Sequence, residues 1–352
     1  MFSVNTRVNS TKANACGNHF EALESRQLMS ASLTHAIAAE VAPVPVQEEL
    51  HVQATAAFEF ASLPGPVKTP VKVEPIPISR TWSLPPLFEE PGVNSNVTGW
   101  TNVSSDPLFA PGGPSANDIT QGQVGDCWFV AALAETALRD PSLIEKDIVQ
   151  LANGTYDVTF HTSATSTLVE NVDGQLPVNS WGGLEYAQLG QDNCTWVPIM
   201  EKALTYFRNR SIPANYATLN EGSGSEALTD LGATKVTELL SGVSNAGQLF
   251  SDVAAAISSN EAVDICTNGS AGPLVNGHCY SVVATRIVDT TLNLFGVTLT
   301  IPMGEIEFRN PWGNNPGFVA NANGYGATNN GYVWLSASSV LPELDELVTA
   351  TV

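Results

Sequence analysis

The sequence predicts an α+β fold in two lobes, one mainly helical and one mainly β, behind a long extended N-terminal segment. Three observations predict it. A cysteine, Cys127, opens an apolar run of strong helix formers that reaches Pro141 without a proline. Two later segments read as strands: one opens on a histidine at Gly277-His278-Cys279-Tyr280, and one ends on an asparagine at Phe308-Arg309-Asn310-Pro311. Before all of these, prolines crowd the chain from Pro43 to Pro91. Such a density sustains neither helices nor central strands.

The elements follow in order. Residues 1–41 read as a targeting segment and residues 42–105 as a disordered linker or propeptide. The first lobe is expected over 106–241. Its central helix starts near Cys127 and stops at Arg139-Asp140-Pro141, where the proline ends it. Strands are expected at 156–160 and 167–172, and a second helix at 197–208. The second lobe is expected over 242–352, with a helix at 246–258 and strands at 262–267, 279–286, 306–310 and 331–335.

Composition narrows the partners. The chain has 352 residues, 35 acidic and 14 basic, for a net charge of −21. No Lys/Arg cluster exists, so neither nucleic acid nor an anionic membrane is an expected partner. No stretch approaches the length of a membrane-spanning helix. The five cysteines (Cys16, Cys127, Cys194, Cys266 and Cys279) show neither a disulfide framework nor a zinc-type Cys-x-x-Cys pair. Cys266 and Cys279 fall on neighbouring expected strands. A bridge between them stays open, with simple packing the preferred reading.

The chemistry lies in three blocks. In Gln121-Gly122-Gln123-Val124-Gly125-Asp126-Cys127-Trp128, a thiol sits at the positive end of a helix dipole, which favours thiolate. Asp126 beside it opposes thiolate and is expected to cap the helix instead. Gln121 can offer an amide N–H to an oxyanion. Cys127, His278 and Asn310, in that order, match nucleophile, general base and orienting amide. Trp312 follows Pro311 and can shield the His–Asn pair or serve as plain core.

These blocks resemble the active-site blocks of the calpains, papain-like cysteine endopeptidases: Gln-Gly-x-x-Gly-Asp-Cys-Trp, Gly-His-x-Tyr-Ser-Val and Arg-Asn-Pro-Trp-Gly. Further matches lie between them, at Val172-Asp173-Gly174-Gln175-Leu176-Pro177, at Trp196-Val197-Pro198-Ile199-Met200-Glu201-Lys202-Ala203, and at Tyr216-Ala217-Thr218-Leu219 with Gly222-Ser223. The resemblance runs from about Asp118 to Leu335. It implies a papain-like two-lobed core that cuts protein or peptide substrates through a thioester, with Cys127, His278, Asn310 and Gln121 catalytic. It also implies that Gly222, Gly277 and Trp312 contact substrate; either glycine alone could be an ordinary turn residue. A monomer is expected. A transglutaminase-type acyl transferase, or an inactive interaction module keeping the fold, are the alternatives.

The resemblance further implies two calcium ions, as in the animal enzymes. Of the acidic positions compared, only Asp118 is acidic here; the others are Cys194, Pro316, Asn330 and Tyr332. No cofactor is therefore expected, calcium included. No Asp-x-Asp-x-Asp-Gly loop appears, and the chain ends near the core's boundary, so no appended calcium-binding domain is expected. Regulation is expected from the proline-rich segment instead. Near the N-terminus, Leu23-Glu24-Ser25-Arg26-Gln27-Leu28-Met29-Ser30 resembles a sorting motif of planctomycete surface and secreted proteins. It implies a bacterial protein that is secreted or held at the cell surface.

Overall fold

A computed structural model describes residues 89–352 apart from 210–212, 269–271, 296 and 316–329. The targeting segment, the sorting motif and nearly all of the proline-rich stretch lie outside the described residues.

Order begins earlier than 106. The dense proline run ends at Pro91, and the β-prone stretch that follows forms strand β1 (Val97–Asn102). Residues 89–105 were expected to be disordered linker, but they are part of the folded unit. Glu90 meets Lys202 at 2.7 Å, and the Gly92 N–H donates to Ala214 O at 2.8 Å.

Helix α1 (Cys127–Arg139) is buried along nearly its whole length. It ends where expected. Asp140 then caps α2 (Pro141–Asp147) by accepting the Ser142 N–H, and Pro141 sits in the first turn, where its missing N–H costs nothing. Strands β2 (Ile148–Gln150), β3 (Tyr156–Ser163) and β4 (Ser166–Val172) form a three-stranded antiparallel sheet. In β3, buried Tyr156, Val158 and Phe160 alternate with half-exposed residues, the mark of a strand with one wet face. Strand β5 (Gln175–Asn179) pairs with β1. Helices α3 (Trp196–Arg208) and α4 (Gly224–Asp230) complete the lobe.

The second lobe is one six-stranded sheet with α5 (Ala246–Ser258) packed on it. Its strands are β6 (Thr234–Glu238), β7 (Ala262–Thr267), β8 (His278–Leu294), β9 (Val297–Arg309), β10 (Tyr332–Ser336) and β11 (Leu344–Thr351), with the short helix α6 (Ala337–Val340) between the last two. The spatial order is β10-β9-β8-β7-β11-β6, and every pair is antiparallel. Strand β6 precedes residue 242, so this sheet takes in residues assigned to the first lobe. The run is polar and lacks alternation, and its pairing with β11 makes it a strand. Strands β8 and β9 also extend past 286 and before 306 as a paired arm, from Ile287↔Gly304 to Leu294↔Val297.

Two apolar clusters result. One surrounds α1, α3 and β3; the other lies between α5 and the sheet, around Leu249, Val253, Tyr280, Val282 and Phe308. The lobes touch through specific bonds. Ser281 Oγ donates to Ala131 O (3.0 Å), Arg139 Nη2 to Val282 O (2.9 Å), and the buried Arg309 Nη2 to Ile119 O (2.7 Å).

Candidate active site

Cys127 is the first residue of α1 and 9% exposed. Strand β8 places His278 at its first residue, and Asn310 follows directly on β9. Gln121, Cys127, Trp128, Gly222, Gly277, His278 and Trp312 line one cleft of about 800 Å³ between α1 and the β lobe. Asn310 is fully buried beneath it.

On the β side, His278 Nε2 lies 2.9 Å from Asn310 Oδ1. That oxygen also accepts the Trp312 backbone N–H at 3.0 Å, which fixes it as the acceptor of the amide. Nε2 must therefore carry the ring proton, and Nδ1 keeps the lone pair. The Trp312 ring stands 4.6 Å from the imidazole and Tyr280 packs edge-on at 4.9 Å. Burial pushes His278 down to about 4, against the Asn310 hydrogen bond that raises it.

On the helix side, burial pushes the Cys127 thiol up to about 11, and the charges of Asp126 and Asp264 add to the rise; the Cys279 backbone N–H opposes it. Desolvation outweighs the dipole that the sequence suggested would favour thiolate. Both shifts favour the uncharged form, thiol on one side and imidazole on the other.

Asp126 does not cap α1: its side chain makes no cap bond. Its Oδ1 instead accepts from Gln121 Nε2 at 3.0 Å, and the same nitrogen donates to Val124 O at 2.7 Å. Both Gln121 amide hydrogens point inward, so donation to an oxyanion requires releasing one of them. Behind Asp126 lies Glu201, 1% exposed, with its carboxyl accepting the Ala187 N–H at 3.0 Å. Burial raises both carboxyls, and the Asp126 charge raises Glu201 further. Asp126 Oδ2 has no N–H or O–H donor while both groups are charged. One proton held on Glu201 supplies it, and like charges this deep do not both ionise.

Gly222 presses its Cα onto the Trp128 indole; a Cβ there would come within 2.3 Å of Cε2. Its identity is thus set at least partly by packing. Gly277 has φ +64°, a conformation that favours glycine, and its N–H donates to Thr267 O at 2.8 Å. Sequence reasoning assigned no role to Glu201 or Asp264. A charged residue inside an apolar run is the signal that marks both, in Ile199-Met200-Glu201 and Val263-Asp264-Ile265. Cys266 and Cys279 face each other across β7 and β8 and form a disulfide, the reading the sequence left second to packing.

The calcium ligand set fails on its one acidic member. Asp118 Oδ2 accepts from Ser115 N and Trp196 Nε1, both at 2.9 Å, and Oδ1 accepts from Gln191 N at 3.0 Å. A carboxylate committed to three N–H donors, with Cys194 beside it, does not fit a calcium ligand. Pro316 lies outside the described residues.

A family model for calpain family cysteine proteases matches residues 94–341. Among curated proteins, the calpain-type cysteine protease ADL1 of Oryza sativa subsp. japonica is 28% identical over 239 residues, covering 62% of this chain and 10% of that protein. The calpain-type cysteine protease DEK1 of Zea mays is 28% identical over 268 residues (71% and 11%). The calpain-1 catalytic subunit of Sus scrofa is 29% identical over 264 residues (66% and 35%). The chain thus spans about a tenth of the plant relatives' length and about a third of the pig protein's.

Proposed function

We propose a mechanism from one premise: the chain belongs to the calpain family of cysteine proteases. The described unit is a papain-like cysteine endopeptidase that acts through Cys127, His278 and Asn310. The observation that carries this reading is the His278 Nε2 to Asn310 Oδ1 bond at 2.9 Å, which leaves the Nδ1 lone pair available in the cleft that Cys127 lines.

A neutral thiol and a neutral imidazole in one cleft favour proton transfer during attack over a preformed ion pair. His278 Nδ1 takes the thiol proton as Cys127 Sγ adds to the scissile carbonyl carbon. The Cys127 backbone N–H faces the developing oxyanion, and Gln121 joins it by giving up one inward bond. Asn310 keeps the imidazolium oriented. The peptide amine leaves with the His278 proton, and water, deprotonated by the same ring, opens the thioester. Gly222 and Gly277 give the substrate backbone close access, and Trp312 shields the His278–Asn310 bond from water. Among the described residues, those lining the cleft include Glu221, Glu238, Asp345 and Glu346 and no lysine or arginine. Basic peptide segments are the preferred substrates.

The lobes are joined by direct bonds and the Asp118 carboxylate is already committed, so activity does not depend on calcium. The Cys266–Cys279 disulfide and the N-terminal sorting motif together support a secreted or surface-held bacterial protein.

The test is to incubate the full chain with a denatured protein, beside Cys127→Ala. Cleavage by the wild type alone is the expected result. Equal cleavage by a folded Cys127→Ala protein would sink the assignment, and ammonia release from glutamine without cleavage would point to acyl transfer.

A further inference from the structure

Three of the five cysteines meet at the cleft. Cys127, Cys266 and Cys279 all line it, and all three belong to the apolar cluster around α1 rather than the one between α5 and the sheet. The register of α1 on β8 shows how they meet. Ser281 Oγ donates to Ala131 O, and farther along both elements Arg139 Nη2 donates to Val282 O. The two elements therefore run in the same direction. A helix rises about 1.5 Å per residue and a strand about 3.3 Å. Four helix residues back from Ala131 then match two strand residues back from Ser281, which sets Cys127 beside Cys279. Alternation puts Cys279 on the same face as Ser281, toward the helix. The Cys279 backbone N–H reaches the Cys127 thiol, as this register requires.

We propose that Cys127 undergoes thiol–disulfide exchange with the Cys266–Cys279 bond, so that the nucleophile is stored as a Cys127–Cys279 disulfide while Cys266 holds the free thiol. His278 removes the Cys127 proton, and the thiolate attacks Cys279 Sγ. The Cys127–Cys279 bond forms as the Cys279–Cys266 bond breaks, and the bonding pair leaves on Cys266, which takes up a proton. One thiol and one disulfide stand on each side, so no oxidant is consumed, and the reverse step restores the free nucleophile. The exchange itself requires only the three sulfurs. Its consequence, masking of hydrolysis, rests on Cys127 being the nucleophile of the proposed peptidase.

The experiment uses the full chain, purified without reductant and held at about pH 7 and about pH 9, since exchange needs thiolate. Samples are quenched in acid with N-ethylmaleimide, digested without reduction and mapped by mass spectrometry. Two signals are expected together: label at Cys266 and a Cys127–Cys279 linked peptide, both building up several-fold faster at the higher pH. Cys127→Ser, checked for folding by circular dichroism, must lose the Cys266 label. Label at Cys127 with none at Cys266 in the wild type overturns the proposal. So does equal Cys266 label in Cys127→Ser, which would reveal incomplete oxidation. Hydrolysis is measured on the same samples. Linked peptide without hydrolysis in any sample leaves the exchange standing and removes the peptidase reading; hydrolysis without linked peptide does the reverse.

Discussion

The two walls of the cleft are built in opposite ways. The helix wall comes from one continuous stretch, Gln121 to Trp128, backed by buried acids: Asp126, Glu201 and, across the lobe contact, Asp264. The β wall joins residues 32 apart in sequence and surrounds its histidine with an amide and aromatic rings, Asn310, Trp312 and Tyr280. Burial drives Cys127 up and His278 down, and both end neutral. Asp126 and Asp264 deepen the first effect, whereas among the described residues only the Asn310 hydrogen bond opposes the second. The difference locates the cost of catalysis. Charge separation is unfavourable in the free site and must be offset when substrate arrives.

The largest effects break one wall at a time. Cys127→Ala removes the nucleophile and should abolish peptide hydrolysis. Asn310→Ala should leave residual activity, with kcat lowered by up to roughly 10⁴-fold, because an orienting group sets geometry and tautomer without forming bonds. Steady-state kinetics on both variants checks the order. An Asn310→Ala protein with wild-type kcat would remove that residue from the site.

Acid should weaken the β wall specifically. The His278 pKa is about 4 in the fold and about 6.5 in the unfolded chain, so the unfolded state binds more protons between those values. The stability that comes from holding His278 neutral is complete above pH 6.5 and fades as pH falls toward 4. It amounts to about 3 kcal/mol. Buried carboxyls with raised pKa slope the other way, gaining relative stability in acid. The His278 share must therefore be read as a difference. Urea unfolding at pH 7 and pH 4 should show wild type losing more than His278→Gln; parallel losses would sink the claim.

The helix wall offers a smaller effect with a built-in control. Glu201→Ala removes the proton donor to Asp126 and leaves that carboxylate short of a partner. It should cost about 1.5–3 kcal/mol in stability. Glu201→Gln can donate to Asp126 and accept from Ala187 N–H, so it should recover most of the loss. If Gln121 is held through this chain, Glu201→Ala should also lower kcat more than it changes KM. Equal stability of the Ala and Gln variants would show that the shared proton is not what matters.

How far the sequence foretold each wall follows from the same contrast. The helix wall was legible because its groups are adjacent and one helix positions them. Even so, Asp126 was expected to cap α1, because a sequence shows the cap position but not the glutamine six residues upstream of the cysteine that claims the carboxylate. On the β wall, His278 and Asn310 were legible as motif residues. The Cys266–Cys279 bond was not, since pairing depends on a register that only β7 and β8 in place supply. Strand β6 was missed because its residues carry no pattern of their own, and β1 because it sits close behind a proline-rich run.

The smallest expected effect is none at all, and it concerns the base of the helix wall. Asp118 sits three residues before Gln121, and it is the one acidic member of the calcium set that the resemblance implies. Here three N–H donors from Ser115, Gln191 and Trp196 occupy both carboxylate oxygens. The Trp196 bond ties the loop to α3 and the Gln191 bond to the turn before it, and the Arg309 bond to Ile119 O ties it to β9 from the other side. A calcium ion would have to displace two backbone donors and an indole to gain one carboxylate, which is poor exchange for a cation that takes six to eight oxygens. Initial rates of peptide hydrolysis by the full chain should be equal in chelator and in millimolar calcium. Asp118→Asn should lower thermal stability, because a charged acceptor is replaced by an amide facing three donors, and the rates should still be insensitive to calcium. A rate that rises with calcium in wild type and is flat in Asp118→Asn would make Asp118 a ligand after all, and the helix wall a switch rather than a fixed support.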